Sequence, residues 1–146
     1  MKTFHRILVA TDFSPASKPA LKEAIALAKG NGTKLLITHA YSLPSLTEAQ
    51  PAAGVYEQLN RNLKTEAQKK LQPLVEEARK EGVEAEALVL SGVPFEAITE
   101  AAREKKADLV IMGTHGRTGV PRFFVGSVAS RVISTAPCPV MTVRAA

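Results

Sequence analysis

The hydrophobic positions of this chain follow two alternating patterns. Short runs rich in Val, Ile and Leu predict strands, because a strand covered on both faces needs apolar residues at nearly every position. Five such runs are found: 6–11, 34–41, 84–90, 107–112 and 140–143. Between them, apolar residues recur every three or four positions, which predicts amphipathic helices. Strict alternation of strand and helix predicts an α/β fold, an open and mostly parallel five-stranded sheet with helices on both faces.

The first two predicted helices have recognisable boundaries. Ser14 as N-cap, with Pro15 at the first helical position, marks the start of the first helix, and Gly30 marks its end. The second helix covers 55–81 and contains Pro73, which predicts a kink or a break because proline cannot donate the helical hydrogen bond. Its apolar face is formed by Leu59, Leu63, Ala67, Leu71, Leu74 and Ala78.

Two further elements have distinguishing features. Glu84 and Glu86 alternate with alanines at the start of the third strand, so this strand should expose one face, as at the edge of a sheet. The last helix is predicted over 127–135. Its apolar positions are Val128, Val132 and Ile133.

Composition places the chain among single-domain globular proteins. Its 146 residues suit one domain, taken here as 1–146, and 45% hydrophobic with 23% charged residues is close to the globular average. No apolar run approaches the roughly 20 residues that cross a bilayer, and the basic N-terminus lacks the apolar core of a signal peptide. Cys138 is the only cysteine, which excludes an internal disulfide framework and a cysteine-rich zinc site. We therefore expect a cytoplasmic protein without membrane contact.

The net charge of +5 is unevenly distributed. Residues 111–146 contain four arginines and no acidic residue, whereas 51–110 carry nine basic and eleven acidic groups. An anion-binding site is one interpretation of the acid-free segment, because arginine presents a planar fork of donors to phosphate. A solvated surface that lacks Asp and Glu is the other, and charge alone does not choose between them.

The loop between the fourth strand and the last helix has the features of a phosphate-binding loop. Gly113 and Gly116 follow directly on a buried strand, and Gly126 and Ser127 open the helix. Glycines let backbone N–H groups approach an anion, and a helix N-terminus adds free donors and the positive end of a dipole. Two arginines lie in the same loop, and no carboxylate competes with an anion there. Ligands of parallel sheets bind at the carboxyl ends of strands, which is where this loop lies.

This loop matches neither of the common nucleotide fingerprints. The P-loop sequence G-x-x-x-x-G-K-[ST] is absent, and no G-x-G-x-x-G follows the first strand. The pattern that is present, G-x2-G-x9-G-[ST], resembles the ATP-binding signature of the universal stress protein family. The opening run 7–14, the turn 91–94 and the segment 136–140 are similar to other parts of that family, so the resemblance covers the whole chain.

The resemblance implies a Rossmann-like fold of the adenine nucleotide alpha hydrolase-like kind, with ATP as the bound ligand. Carried over by position, it implies that Asp12 contacts the nucleoside, with Thr11 and Phe13 on either side of it. Ala40, which ends the second strand, matches a backbone position beside the adenine.

The remaining site positions follow from the same resemblance. The run from Met112 through Gly113 and His115 to Gly116 matches the part that wraps the ribose and phosphates. Three residues at the start of the last helix match those that hold the distal phosphates: Gly126, Ser127 and Val128. We also expect Arg117 to contact phosphate.

Two expectations about partners complete the resemblance. ATP-binding members of the family are generally homodimers, often paired through the last strand, here Val140 to Val143. If Mg or Mn binds, it is expected to bind together with the phosphates of the nucleotide.

Several of these residues also have plain structural alternatives. Asp12 could cap the first helix, since this is a common role for aspartate. His115 could be a surface loop residue, because a lone histidine is weak support for catalysis. Arg117 could be solvated.

Three functions are compatible with the sequence. We favour a nucleotide-dependent stress-response or signalling module, because nothing in the loop resembles an activated nucleophile with its base, and no carboxylate there can hold a metal or a water. On this hypothesis there are no catalytic residues, and ATP hydrolysis is slow or absent. The alternative is an ATPase or a nucleotidyl-transfer enzyme, which is supported only by analogy of fold. The third is a basic binder of nucleic acid or acidic partners, disfavoured by the net acidic central segment and by 5% aromatic residues, which leave little for base stacking.

Overall fold

A computed structural model describes residues 3–43, 54–114 and 126–144 of the chain. Within these ranges strands and helices alternate as the sequence predicts. The elements are β1 (Arg6–Ala10), α1 (Lys18–Ala28), β2 (Lys34–Tyr41), α2 (Val55–Lys80), β3 (Glu84–Ser91), α3 (Pro94–Glu104), β4 (Leu109–Gly113), α4 (Ser127–Thr135) and β5 (Val140–Val143). A short 3-10 turn, Pro15–Ser17, precedes α1.

The five strands form one sheet in the order β3-β2-β1-β4-β5, and all four neighbouring pairs are parallel. The Rossmann-like α/β fold is therefore confirmed, and so is the position of β3 at a sheet edge. Beyond β1 the order reverses, because β2 lies on one side of it and β4 on the other. Open parallel sheets bind ligands at such a switch point, outside the carboxyl ends of the strands.

Side chains of β1 alternate between two hydrophobic layers, one on each face of the sheet. Ile7 and Val9 pack with α1 and α2, whereas Leu8 and Ala10 pack with α3 and α4. All four are buried, as expected for a strand covered on both sides. Each large apolar side chain buried in this way contributes roughly 1.5–3 kcal/mol, so the two layers hold the sheet and its carboxyl edge in place.

The start of the first helix differs from the prediction. Ser14 has an extended backbone and Pro15 follows it, but the Ser14 side chain makes no capping hydrogen bond. A 3-10 turn comes first, and the α-helix begins at Lys18. Ser14 stands at the predicted N-cap position with Pro15 after it, but it caps the 3-10 turn and not the α-helix, and its hydroxyl donates to Asp12.

Two features of the other helices also differ. Of the predicted kink or break at Pro73, the break is wrong: α2 runs unbroken through 26 residues, with Pro73 exposed and Leu71 and Val75 burying the opposite face. Ile133 is 50% exposed, whereas Val132 is buried as predicted and is joined on the buried face of α4 by Ala129. In the three described ranges, no helix is both long enough and apolar enough to cross a membrane.

Candidate functional site

A cavity of about 260 Å³ opens at the carboxyl edge of the sheet. The cavity is lined by residues from the ends of β1, β2 and β4 and from the first turns of α3 and α4. It therefore lies at the switch point between β1 and β4. Eight of the residues expected from the sequence line this cavity: Thr11, Asp12, Ala40, Met112, Gly113, Gly126, Ser127 and Val128.

The other four expected residues are not among those that line it. Phe13 lies in the same turn but lines a neighbouring cavity. His115, Gly116 and Arg117 lie outside the described residues, so their expected contacts stay predictions.

The turn after β1 is held by a hydrogen bond to β2 and by hydrogen bonds among its own residues. The backbone N–H of Thr11 continues the ladder to β2 by donating to the Thr38 carbonyl at 2.9 Å. Asp12 Oδ1 accepts both the backbone N–H of Ser14, at 2.9 Å, and the Ser14 hydroxyl, at 2.5 Å. An aspartate that bonds to the backbone two residues further on forms an Asx turn, which fixes the carboxylate relative to the chain.

The hydroxyl groups of Thr11 and Ser17 also hold this turn through hydrogen bonds. The Phe13 N–H donates to Thr11 Oγ1 at 3.0 Å, and Ser17 Oγ donates to the Ser14 carbonyl at 2.8 Å. Thr11 Oγ1 and Ser17 Oγ are 2.9 Å apart, and since the Ser17 proton is already used, the Thr11 hydroxyl is the donor between them. The Thr11 and Ser17 hydroxyl groups at the cavity therefore each have a defined orientation.

The start of α4 forms the opposite rim of the cavity. The Gly126 N–H donates to the Thr114 carbonyl at 2.6 Å, which fastens the helix N-terminus to the end of β4. Ser127 is exposed, and the first turn of α4 contains no acidic residue. The free N–H groups and the positive dipole end of this nine-residue helix therefore meet no competing carboxylate from their own helix.

Sequence reasoning missed several lining residues, among them Ser17, Thr38 and His39. Thr38 is fully buried and donates to the Leu36 carbonyl at 3.0 Å. A polar pair, Thr38 and His39, inside an otherwise apolar strand run was the available signal. Ser17 carried no comparable signal, because only the 3-10 turn brings it beneath the end of β1.

A second cavity of about 390 Å³ adjoins the first beside α2. Asp12, His39 and Ala40 line both cavities, so the ends of β1 and β2 separate them. On the second side, the Phe13 ring lies against the His39 ring with 4.4 Å between centroids, and Lys70 Nζ lies 5.5 Å from the Phe13 centroid.

Comparison with known sequences gives one consistent family. A model described as the universal stress protein family matches residues 3–144. The chain is 38% identical to the universal stress protein MJ0531 of Methanocaldococcus jannaschii, over 97% of this chain and 82% of the relative. It is 40% identical to a universal stress protein of Thermus aquaticus, over 97% of this chain and 99% of the relative.

Solved structures agree with the sequence relatives. The protein MJ0577 of Methanocaldococcus jannaschii superimposes with a TM-score of 0.89 at 26% identity, covering 99% of both chains. A universal stress protein in complex with cAMP matches with a TM-score of 0.70 at 26% identity, covering 99% of this chain and 100% of the other. One from Archaeoglobus fulgidus in complex with dAMP matches with a TM-score of 0.67 at 28% identity, covering 98% and 100%.

Proposed function

The chain belongs to the universal stress protein family, and on this premise we propose that it binds ATP at the carboxyl edge of its sheet. The proposal treats residues 1–146 as a single universal stress protein domain of the cytoplasm. In it, nucleotide occupancy sets the state of a stress-response or signalling module. Two similar structures hold the adenine nucleotides cAMP and dAMP, which supports adenine recognition as the shared property.

One observation carries the proposal: a single cavity has Asp12 on one rim and the N-terminus of α4 on the other. A carboxylate suits the hydroxyl and amino groups of a nucleoside, because hydrogen bonds to a charged acceptor are stronger than neutral ones. A helix N-terminus suits phosphate. The two rims thus match the two ends of a nucleotide.

The expected residue roles fit this arrangement. We assign the nucleoside to the Thr11–Phe13 turn, with Asp12 as its polar contact and the Ala40 backbone beside the adenine. Met112 and Gly113 take the ribose side, and the helix start takes the distal phosphates through Gly126, Ser127 and Val128. His115, Gly116 and Arg117 are assigned to the phosphates by sequence alone.

Mg²⁺ or Mn²⁺ enters the proposal only as an ion held jointly with the nucleotide phosphates. Mg²⁺ is usually bound by one or two carboxylates together with substrate phosphates. Among the described residues no three His, Cys, Asp or Glu side chains form a metal-binding group. Ser127 supplies a hydroxyl oxygen at the end of the cavity assigned to the phosphates, so it suits an ion whose other ligands are phosphate and water.

We propose that hydrolysis is slow or absent. Asp12 is the one carboxylate among the described lining residues, and its Oδ1 already accepts two hydrogen bonds from Ser14. Phosphoryl transfer needs a group that positions the attacking water in line with the phosphate. Turnover of purified protein with Mg²⁺ measures this directly, and a rate well above about 1 s⁻¹ would favour the enzyme alternative.

The proposal includes a homodimer formed through β5. This strand lies at the edge of the sheet. The N–H groups of Val110 in β4 and of Thr114 just after it donate to the carbonyls of Pro139 and Val143. The backbone groups of Val140 and Thr142 therefore point away from β4, because alternate residues of a strand bond to opposite sides. An exposed row of backbone donors and acceptors is a template for pairing with a second chain.

Calorimetric titration with nucleotides tests the central claim. Protein is first denatured to release any bound nucleotide, which mass spectrometry identifies, and the protein is then refolded and titrated with ATP, ADP, AMP and GTP. We expect binding of adenine nucleotides and a weaker response to GTP, which serves as the matched control for the base. Absence of binding at millimolar ATP, together with no nucleotide in the released fraction, would contradict the proposal.

A further inference from the structure

Phe13 has an unusual backbone conformation next to Asp12. Its φ of 67° lies in the left-handed region. In the described ranges, Lys106 is the one other non-glycine residue with a positive φ. A bulky side chain is strained there, and such strain persists only where the surroundings fix the backbone. The contacts that fix Phe13 therefore also decide where the neighbouring Asp12 carboxylate points.

His39 provides two of these contacts from the adjacent strand. Its Nδ1 lies 2.8 Å from the Thr11 carbonyl, and because a carbonyl only accepts, Nδ1 carries the proton and donates. Its ring packs on Phe13 at 4.4 Å between centroids. One side chain thus touches the residues on both sides of Asp12.

His39 is among the residues that line both cavities, and its position in β2 sets the face of the sheet on which its side chain lies. Alternation along the strand puts His39 on the same face as Leu35 and Ile37, which pack in the layer of α1 and α2. The cavity is lined on its other side by Met112, Ile98 and Ala129, which belong to the layer of α3 and α4. His39 can therefore influence a ligand through the turn that it holds.

We propose that His39 is a positioning residue. The hydrogen bond from its Nδ1–H to the Thr11 carbonyl holds the strained turn that presents Asp12 to the nucleotide. The proposal rests on the proposed function for its ligand. Its geometric part, the control of the turn by His39, stands on the hydrogen bond and the ring contact alone.

Two substitutions separate the hydrogen bond from the packing. His39→Asn keeps a donor at the Nδ1 position and removes the ring, whereas His39→Phe keeps a ring and removes the donor. His39→Leu is a second donor-free variant in case Phe packs poorly. Tyr41→Phe is the matched control, because Tyr41 lies two residues along β2 and its hydroxyl donates to Asn60, away from the turn.

The first measurement is amide hydrogen exchange at Phe13 and Ser14 in nucleotide-free protein. Both amides donate to side chains within the turn. We expect exchange about tenfold faster in His39→Phe and His39→Leu, and little change in His39→Asn or Tyr41→Phe, since the loss of one hydrogen bond is worth about that factor. Equal exchange in all variants would overturn the proposal.

The second measurement is ATP affinity of the same proteins. We expect affinity about tenfold lower in the donor-free variants, and within about threefold of the parent in His39→Asn and Tyr41→Phe. If His39→Asn binds ATP as weakly as His39→Phe does, the proposed role of the Nδ1 donor is overturned. If the parent protein binds no adenine nucleotide, the proposed function fails, while the exchange experiment still decides whether His39 controls the turn.

Discussion

The hydroxyl and the backbone N–H of Ser14 both donate to Asp12 Oδ1, at 2.5 and 2.9 Å. The serine that the sequence suggests as a helix cap thus constrains a carboxylate at the cavity. A carboxylate fixed before its ligand arrives loses less conformational freedom on binding, and this favours affinity. Asp12 is therefore the residue whose replacement tests the site most directly.

Asp12→Ala should lower ATP affinity by about 10- to 100-fold. This corresponds to the roughly 1.5–3 kcal/mol of a hydrogen bond to a charged group. Asp12→Asn should lower affinity less, because its amide oxygen can still accept from Ser14. Calorimetric titration measures both effects.

Asp108 provides the control for Asp12. Its carboxylate accepts the backbone N–H groups of His5 and Arg6, at 2.8 and 3.1 Å, at the opposite edge of the sheet. Asp108→Ala should lower the free energy of unfolding by about 1–3 kcal/mol and leave ATP affinity unchanged. Equal affinity in Asp12→Ala and the parent protein would contradict the assigned role of Asp12.

Ser127→Asp should weaken ATP binding at least tenfold and leave adenosine binding nearly unchanged. The added carboxylate would stand where the distal phosphates are assigned, and like charges repel. Ser130→Asp is the matched control, because Ser130 is also exposed on α4 and lies one turn further along. Titration with ATP and with adenosine distinguishes a phosphate contact from a general disturbance. An equal loss for both ligands would argue against the assignment.

Thr142→Pro should convert the proposed dimer to a monomer without unfolding it. Proline removes a backbone N–H that points away from β4, so the ladder inside the molecule is retained while pairing with a second copy is lost. Thr142→Ala keeps the N–H and should remain dimeric. Light scattering after gel filtration gives the mass of each variant. A parent protein that is monomeric at all concentrations would remove the β5 dimer from the proposal.

Pro73→Ala should raise the free energy of unfolding by about 1–3 kcal/mol. Pro73 is exposed inside α2, where proline is about 3 kcal/mol less favourable than alanine, and the lower entropy of the unfolded proline chain offsets part of this difference. Gln68→Ala, at another exposed position of the same helix, should change stability by less than about 0.5 kcal/mol. Urea unfolding followed by circular dichroism measures both variants. A destabilised Pro73→Ala would show that the proline ring makes a favourable contact.

The ion pair between Lys29 and Glu81 should raise the free energy of unfolding slightly at neutral pH, and this contribution should disappear in acid. Lys29 Nζ lies 2.8 Å from Glu81 Oε2, and this hydrogen bond, together with the Lys29 charge, holds the pKa of Glu81 below its ordinary value. A lowered folded-state pKa stabilises the fold above the unfolded pKa, and the effect is lost as pH falls through the folded pKa. Glu81→Gln should therefore be slightly less stable than the parent at neutral pH and equal to it in acid. Both side chains are at least half exposed, so high salt should also remove the difference.

The sequence predicted the elements of the fold well because their signals are local. The limits of β2, α4 and β5 agree with the predicted ranges, and the two glutamates of β3 correctly indicated an edge strand. The errors concern competition between local and tertiary interactions. Ser14 precedes a 3-10 turn where the sequence predicted the start of the α-helix, and its hydroxyl bonds to Asp12. Pro73 is tolerated because the opposite face of α2 is anchored by Leu71 and Val75.

By itself, the sequence determined the alternation of strands and helices, the glycine-containing loop and the family to which the chain belongs. Only the tertiary structure decided that Asp12 and Ser127, which lie 115 positions apart, line one cavity. It also decided that His39 of β2 reaches the Thr11 carbonyl in the turn after β1. The physical reason is that residue periodicity records which positions are buried, whereas strand order and register arise from packing the whole sheet, and they alone bring distant residues together.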